Sequence, residues 1–174
     1  MKQAAHPLLE EINIRTELRP GDMGYIIHLH GRMYHQENHY GMQFESYVAA
    51  GLHEFYSRYD ANLDRVWICE HQERIVGFLL LMHRPAHQAQ LRYFLLLPEY
   101  RGMGLGTLLM RLFMEQFLAL KYEGSYLWTT REQEAAIALY RKFGYHLTEE
   151  KPSDGFGKSL IEQRYELTRP AAVA

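Results

Sequence analysis

Apolar residues recur along this chain with two periods, and the switches between them mark out the elements. From Glu11 to Leu18, Ile12 and Ile14 alternate with polar neighbours as in a half-buried strand. Arg19-Pro20-Gly21-Asp22 then supplies turn chemistry, with Asp22 placed as a helix N-cap. Met23, Ile26, Ile27 and Met33 fit an amphipathic helix from Met23 to about Tyr34, and the polar stretch from Gln36 to Gly41 reads as leaving it. Phe44, Tyr47, Val48, Leu52, Phe55 and Tyr56 repeat at spacings of three and four, which predicts a second helix.

After Tyr59-Asp60-Ala61-Asn62 the period becomes that of strands. Val66 to Glu70 and Ile75 to Met82 form a hairpin about the polar turn His71 to Glu73, and a third strand runs from about Ala89 to Leu97. It stops at Pro98, which has no N–H for a ladder. Leu105, Leu108, Leu109, Leu112, Phe113, Phe117 and Leu120 draw a helical stripe over Gly104 to Tyr122, and Ser125 to Thr129 follows as a strand. Glu132 to Phe143 reads as a helix with Gly144 at its C-terminal cap. Tyr145 to Glu149 and Leu160 to Leu167 close the pattern as a strand pair joined by the loop Lys151 to Gly157. The reading is an α+β fold in one domain over residues 1–174, with an ordered core at about 12–168. A twisted, mostly antiparallel sheet of about seven strands is flanked by about four helices.

Composition narrows the partners. The chain has 174 residues, with 19 Lys plus Arg against 21 Asp plus Glu for a formal charge of -2. That balance carries no basic footprint for phosphate neutralisation, so no nucleic-acid partner is expected. The single cysteine, Cys69, forms no intrachain disulfide and leaves no cysteine-based zinc site, so no metal is assigned. Met1 to Glu10 shows no apolar run of signal-peptide length, and Phe78 to Met82 and Phe94 to Leu97 are too short to span a bilayer. A cytoplasmic protein without a membrane partner is the expectation.

The chemistry concentrates in Leu95-Leu96-Leu97-Pro98-Glu99-Tyr100-Arg101-Gly102-Met103-Gly104-Leu105-Gly106-Thr107, a buried strand that enters a helix through a glycine-rich turn. Glycines let backbone approach a ligand closely, and N–H groups at a helix start favour a phosphate. Arg101 adds a fork of donors. No Gly-Lys-Ser or Gly-Lys-Thr follows, so the turn is not a P-loop, and Thr107 stands where a Rossmann turn would need glycine.

This turn resembles the acetyl-CoA-binding motif of the GCN5-related N-acetyltransferase (GNAT) family, here Arg101-Gly102-Met103-Gly104-Leu105-Gly106. Downstream, Ala136-Ile137-Ala138-Leu139-Tyr140-Arg141-Lys142-Phe143-Gly144-Tyr145 is similar to the family's second motif, and the element order agrees from about Ile12 to Leu167. A finer likeness joins Arg19-Pro20-Gly21-Asp22, His28 and His30-Gly31 with Tyr34, Leu127-Trp128-Thr129, and Phe156 to Leu167 to the acetyltransferase half of bacterial MarR-GNAT fusion proteins. The chain begins almost at the first strand, so no winged helix and no DNA binding of its own are expected.

The resemblance implies acetyl transfer from acetyl-CoA, as co-substrate, to a primary amine of a small molecule by direct attack in a ternary complex. It implies that the strand Leu91 to Leu97 splays from Tyr126 to Thr129, with pantetheine in the opening against Leu95, Leu96 and Leu97. It further implies that the Leu96 N–H polarises the thioester carbonyl and that Arg101, Gly102, Met103, Gly104, Leu105, Gly106 and Thr107 hold the pyrophosphate. Tyr140 would protonate the leaving thiolate, and Gln133 stands where relatives carry an Asn contact to pantetheine.

Other readings stay open on the residues alone. Tyr140, between Ile137 and Phe143, also suits a packed core tyrosine. The base is unassigned, because Ala89 to Leu97 carries no acid; His28, His30, Tyr34 and Glu70 are candidates, with His30 and Tyr34 placed near the acceptor. His35 and His39, four apart, read as surface histidines rather than metal ligands. A protein or peptide N-acetyltransferase and a non-catalytic acyl-CoA sensor are the rival functions. A homodimer through the closing strands or the loop around Phe156 is a further expectation.

Overall fold

The computed structural model describes residues 8–169. One sheet of seven strands runs through it in the order β1-β2-β3-β4-β5-β7-β6. The strands are β1 (Asn13–Arg15), β2 (Arg65–His71), β3 (Arg74–Arg84), β4 (Gln88–Leu96), β5 (Gly124–Thr130), β6 (His146–Ser153) and β7 (Leu160–Thr168). The helices are α1 (Asp22–Asn38), α2 (Met42–Ser57), α3 (Leu105–Ala119) and α4 (Glu134–Lys142). Every neighbouring pair is antiparallel except β4 and β5.

The apolar run of β3 lies at the centre because both of its faces are covered: Val76, Phe78, Leu79, Leu80 and Leu81 are fully buried. β4 is held between helices, since Tyr93 reaches α2 at Gly51 while Phe94 and Leu96 reach α3 at Gly106. β6 is the outer edge, polar and exposed along most of its length, and it tolerates Pro152 there because an edge strand can leave an N–H out of the ladder.

Several expectations are corrected. Asp22 is not the N-cap of α1 but its first residue; Gly21, with φ of 99°, takes the cap position. The Asp22 carboxylate instead accepts from the Arg19 N–H and from both terminal nitrogens of Arg15, whose Nε reaches Glu70. This buried ion cluster ties β1, β2 and α1 together. The first helix continues to Asn38 rather than leaving near Gln36, because His39 turns left-handed (φ 59°), so that its N–H reaches the His35 carbonyl and the following Tyr40 N–H reaches that of Tyr34. β6 extends to Ser153, through residues expected in the loop, because its pairing with β7 persists from His146 opposite Glu166 to Ser153 opposite Leu160.

Candidate active site

The turn after β4 presents a row of free donors. Arg101 N–H closes a short 3-10 turn onto Pro98, and Leu108 N–H is the first to bond inside α3, onto Gly104. Among the described residues, the N–H groups of Gly102, Met103, Gly104, Leu105, Gly106 and Thr107 have no protein acceptor. Gly102 and Gly104 make this possible by adopting φ of 76° and 94°, a region that costs other residues strain. Gly106 is different: it is helical, and a Cβ there would come within 3.3 Å of Leu96 and 3.4 Å of Leu139, so glycine lets α3 lie close to β4 and α4. The concave row of donors at a helix start fits a pyrophosphate.

The Arg101 side chain does not lie free beside that row. Its Nε donates to the Leu96 carbonyl at 3.0 Å and its terminal nitrogen to Glu37 on α1 at 3.1 Å. The guanidinium therefore braces α1 against the end of β4.

β4 and β5 stay paired only from Gln88 to Gln90 against Gly124 to Tyr126, and beyond that they part. A bulge opposite Leu79 of β3, where Tyr93 has φ of 55°, bends β4 at the point of separation. The direction of the freed peptide groups follows from one bond. Leu97 N–H donates to Val76 at 2.9 Å, so by antiparallel alternation the N–H and C=O of Leu96 face away from β3 and into the opening. The Leu96 carbonyl already meets Arg101 there. Leu95 and Leu97 are buried and share the parity that faces β3.

The opening widens into a cleft of about 730 Å³, counted to open solvent. Tyr140 of α4 projects into its wall beside Phe94, with ring centroids 6.3 Å apart. Burial, then the neighbouring Tyr34 and Tyr145, pushes the Tyr140 phenol far above its ordinary value, so the hydroxyl keeps its proton. No hydrogen-bond partner holds that hydroxyl among the described residues.

The opposite end is aromatic, built by Tyr34, Tyr40, Phe44, Tyr47 and Phe156. The Phe156 ring lies 4.8 Å from Phe44 and 5.3 Å from Tyr40, so the loop expected at a dimer contact is packed into the cleft wall. Tyr40 hydroxyl bonds Thr130 at 2.7 Å, Gly41 N–H donates to Phe156, and Lys158 ties Glu132 to the Asn38 carbonyl. Gln133 lines the cleft with its Nε2 donating to Asn38 Oδ1 at 3.0 Å.

The remaining candidates separate clearly. His30 and Tyr34 line the cleft with their rings stacked at 5.9 Å, whereas His28 is exposed on another face of α1. Glu70 is engaged by Arg15 at the β1–β2 end. His35 Nδ1 donates to the Tyr40 carbonyl and helps to close α1, while His39 is exposed. Cys69 is fully buried and its thiol is pushed up to about 12 by desolvation, so it offers no thiolate. Sequence reasoning misses Tyr40, Tyr93 and Glu162 as cleft residues. Tyr40 and Glu162 reach the cleft only through tertiary pairing, and no local signal marks the bulge at Tyr93.

A profile of the Acetyltransferase (GNAT) family matches residues 31–145. The chain belongs to this family. Among curated proteins, this GNAT chain is 27% identical over 110 residues to "Probable N-acetyltransferase 14" of Xenopus tropicalis, covering 62% of the chain and 53% of that relative. It is 31% identical over 97 residues to "Uncharacterized N-acetyltransferase YjgM" of Escherichia coli, covering 54% of the chain and 58% of that relative. The match thus spans little more than half the length of either relative. Among solved structures, an acetyltransferase from Streptococcus agalactiae superposes with a TM-score of 0.70 at 19% identity, over 92% of this chain and 100% of that one. A spermidine N-acetyltransferase from Vibrio cholerae, solved with CoA and spermine, gives 0.66 at 22% identity, over 91% and 96%. These likenesses establish the GNAT fold. Among the described residues, no helix is long and apolar enough to cross a membrane.

Proposed function

We propose that the protein moves the acetyl group of acetyl-CoA to a primary amine of a small molecule, by direct attack within a ternary complex. Three observations along the end of β4, where it parts from β5, carry this reading. These are the six free N–H groups of residues 102–107, the Leu96 N–H on the freed edge of β4, and the Tyr140 phenol in the opposite wall. Acetyl-CoA supplies an activated thioester. The donor row holds its pyrophosphate, and the Leu96 N–H, fixed by the β3 ladder, donates to the carbonyl oxygen as negative charge grows there. Tyr140 donates its proton to the leaving sulfur. Burial keeps the phenol protonated, so it has a proton to give when the thiolate leaves.

Direct transfer is favoured because Cys69 is sealed in the core. A small acceptor is favoured because the aromatic end is roofed by the Phe156 loop on the α1–α2 link. The finer likeness to the MarR-GNAT fusions rests on the quoted segments, and a single domain in the cytoplasm is the matching proposal; a lone buried cysteine suits a reducing compartment.

The test is release of free CoA thiol from acetyl-CoA with a panel of amines, comparing wild type with Tyr140→Phe. The panel includes amino acids, aminosugars, short peptides and, because the Vibrio cholerae neighbour was solved with spermine, polyamines. Acceptor-dependent release that drops roughly 100-fold in the variant supports both the reaction and the acid. Tight acetyl-CoA binding without transfer to any amine points to a sensor, and no binding refutes the reading.

A further inference from the structure

Among the described residues, two that line the cleft carry a sealed polar atom with no hydrogen-bond partner: Nε2 of His30 and the hydroxyl of Tyr93, the latter against Gly51 of α2. The first has a defined protonation. His30 Nδ1 lies 2.9 Å from the carbonyl oxygen of Ile26, one helical turn earlier, and a carbonyl can only accept. Nδ1 therefore carries the hydrogen, and in the neutral ring Nε2 is a bare lone pair. The ring is neutral because burial pulls its pKa down to about 4.

Aromatic rings enclose the imidazole. Tyr34 of α1 stacks on the ring at 5.9 Å and 6°, Phe44 of α2 lies at 6.4 Å, and Tyr93 of β4 meets it edge-on at 5.7 Å and 90°. The titratable groups facing it are thus two phenols, and the nearest charge on β4, the Arg92 guanidinium, lies over the far partner ring, 4.7 Å from the centre of Tyr93. The cleft's carboxylate, Glu162, faces Lys151 at 3.7 Å instead. A buried acceptor without a donor is unfavourable, and phenylalanine would fill this wall at lower cost if packing were all the residue did.

We propose that Nε2 of His30, uncovered when the acceptor displaces the aromatic side chains that seal it, accepts the N–H of the acceptor amine and takes its proton as the amide forms. This rests on the acetyl-transfer reading. An amine entering this cleft is driven to its neutral form by the same desolvation that keeps His30 neutral. Its lone pair forms the C–N bond while the C–S bond breaks and its electron pair goes to sulfur. The nitrogen, now acidic, passes its proton to Nε2, and sulfur takes the proton of Tyr140. His30 then releases its proton to solvent and Tyr140 recovers one, so the net products are amide and CoA thiol.

The experiment uses the amines that wild type acetylates, with His30→Phe, His30→Gln and His30→Ala. The expected result is a loss in kcat of roughly 100- to 10,000-fold in each, with acetyl-CoA affinity by calorimetry within about twofold of wild type, and partial recovery of His30→Ala by added imidazole. A purely structural role would not respond to imidazole. Nitrogen-15 spectra of the wild type should show Nε2 unprotonated from pH 8 down to about 5 and perturbed by the acceptor amine. Should His30→Phe or His30→Gln retain kcat, should imidazole leave His30→Ala unchanged, or should the Nε2 signal ignore the amine, the assignment falls. Failure of wild type itself to acetylate any amine overturns the transfer reading and this assignment with it; transfer by wild type matched by the variants overturns this assignment alone.

Discussion

The buried state of His30 makes a prediction that needs no substrate. Burial sets the folded pKa at about 4, against 6.5 for the exposed ring of the unfolded chain. Between those values the unfolded state binds a proton that the folded state refuses, so stability rises with pH across the window and is lost as pH falls through it. At roughly 1.4 kcal/mol per pH unit, the penalty is near zero above pH 7.5 and reaches about 2–3 kcal/mol at pH 4.5. With a urea slope of about 2 kcal/mol/M, that moves the unfolding midpoint by roughly 1 M. Carboxylates titrate in the same range, so the measurement is a difference: urea midpoints of wild type and His30→Phe at pH 7.5 and 4.5. The variant should lose this part of the pH slope and gain relative stability in acid, whereas His28→Phe, at an exposed position, should keep the wild-type slope. Equal slopes for wild type and His30→Phe would refute the desolvated ring, and with it the bare lone pair on which its role depends.

Three further outcomes follow from the geometry. Gly104→Ala and Gly24→Ala both add a methyl where no atom lies closer than 3.9 Å, but Gly104 has φ of 94° and Gly24 sits inside α1. The first should lower stability by ~1–2 kcal/mol and weaken acetyl-CoA binding about 5- to 30-fold, while the second should raise Tm by a few degrees and leave binding unchanged, as read by thermal scans and calorimetry. Cys69→Ala should keep transfer within about twofold, and mass spectrometry of wild type mixed with acetyl-CoA should find no acetyl-cysteine at this buried position. Glu54, whose carboxyl is held below its ordinary range first by the hydrogen bond from Arg84, contributes stability above about pH 4.5 that fades as pH falls through its lowered value. The stability gap between wild type and Glu54→Gln should therefore narrow in urea titrations from pH 6 to pH 3.

What is legible in the sequence is whatever is decided locally. The buried run Ile75 to Met82, the glycines of the 102–106 turn and the apolar stripe of α3 each carry their reason within a few neighbouring residues, and each stands where the pattern puts it. The end of α1 escapes the pattern because the deciding residue, His39, is a non-glycine in a left-handed conformation, which a polar stretch does not announce. Asp22 marks the right helix end without capping it. Its carboxylate serves Arg15 and the Arg19 N–H, and only the pairing of β1 with β2 brings Glu70 to the same guanidinium. The cleft shows the same division more sharply. The places of Tyr140 and Leu96 follow from the motif residues beside them in sequence, but the aromatic end of the cleft is made by contacts such as Tyr40 with Thr130, 90 positions apart, and Lys158 with Asn38, 120 apart. Arg101 shows why residue type alone stops short. A guanidinium beside a donor row reads as a phosphate ligand until the fold brings Glu37 and the Leu96 carbonyl within its reach. Its charge then serves to hold α1 against the end of β4.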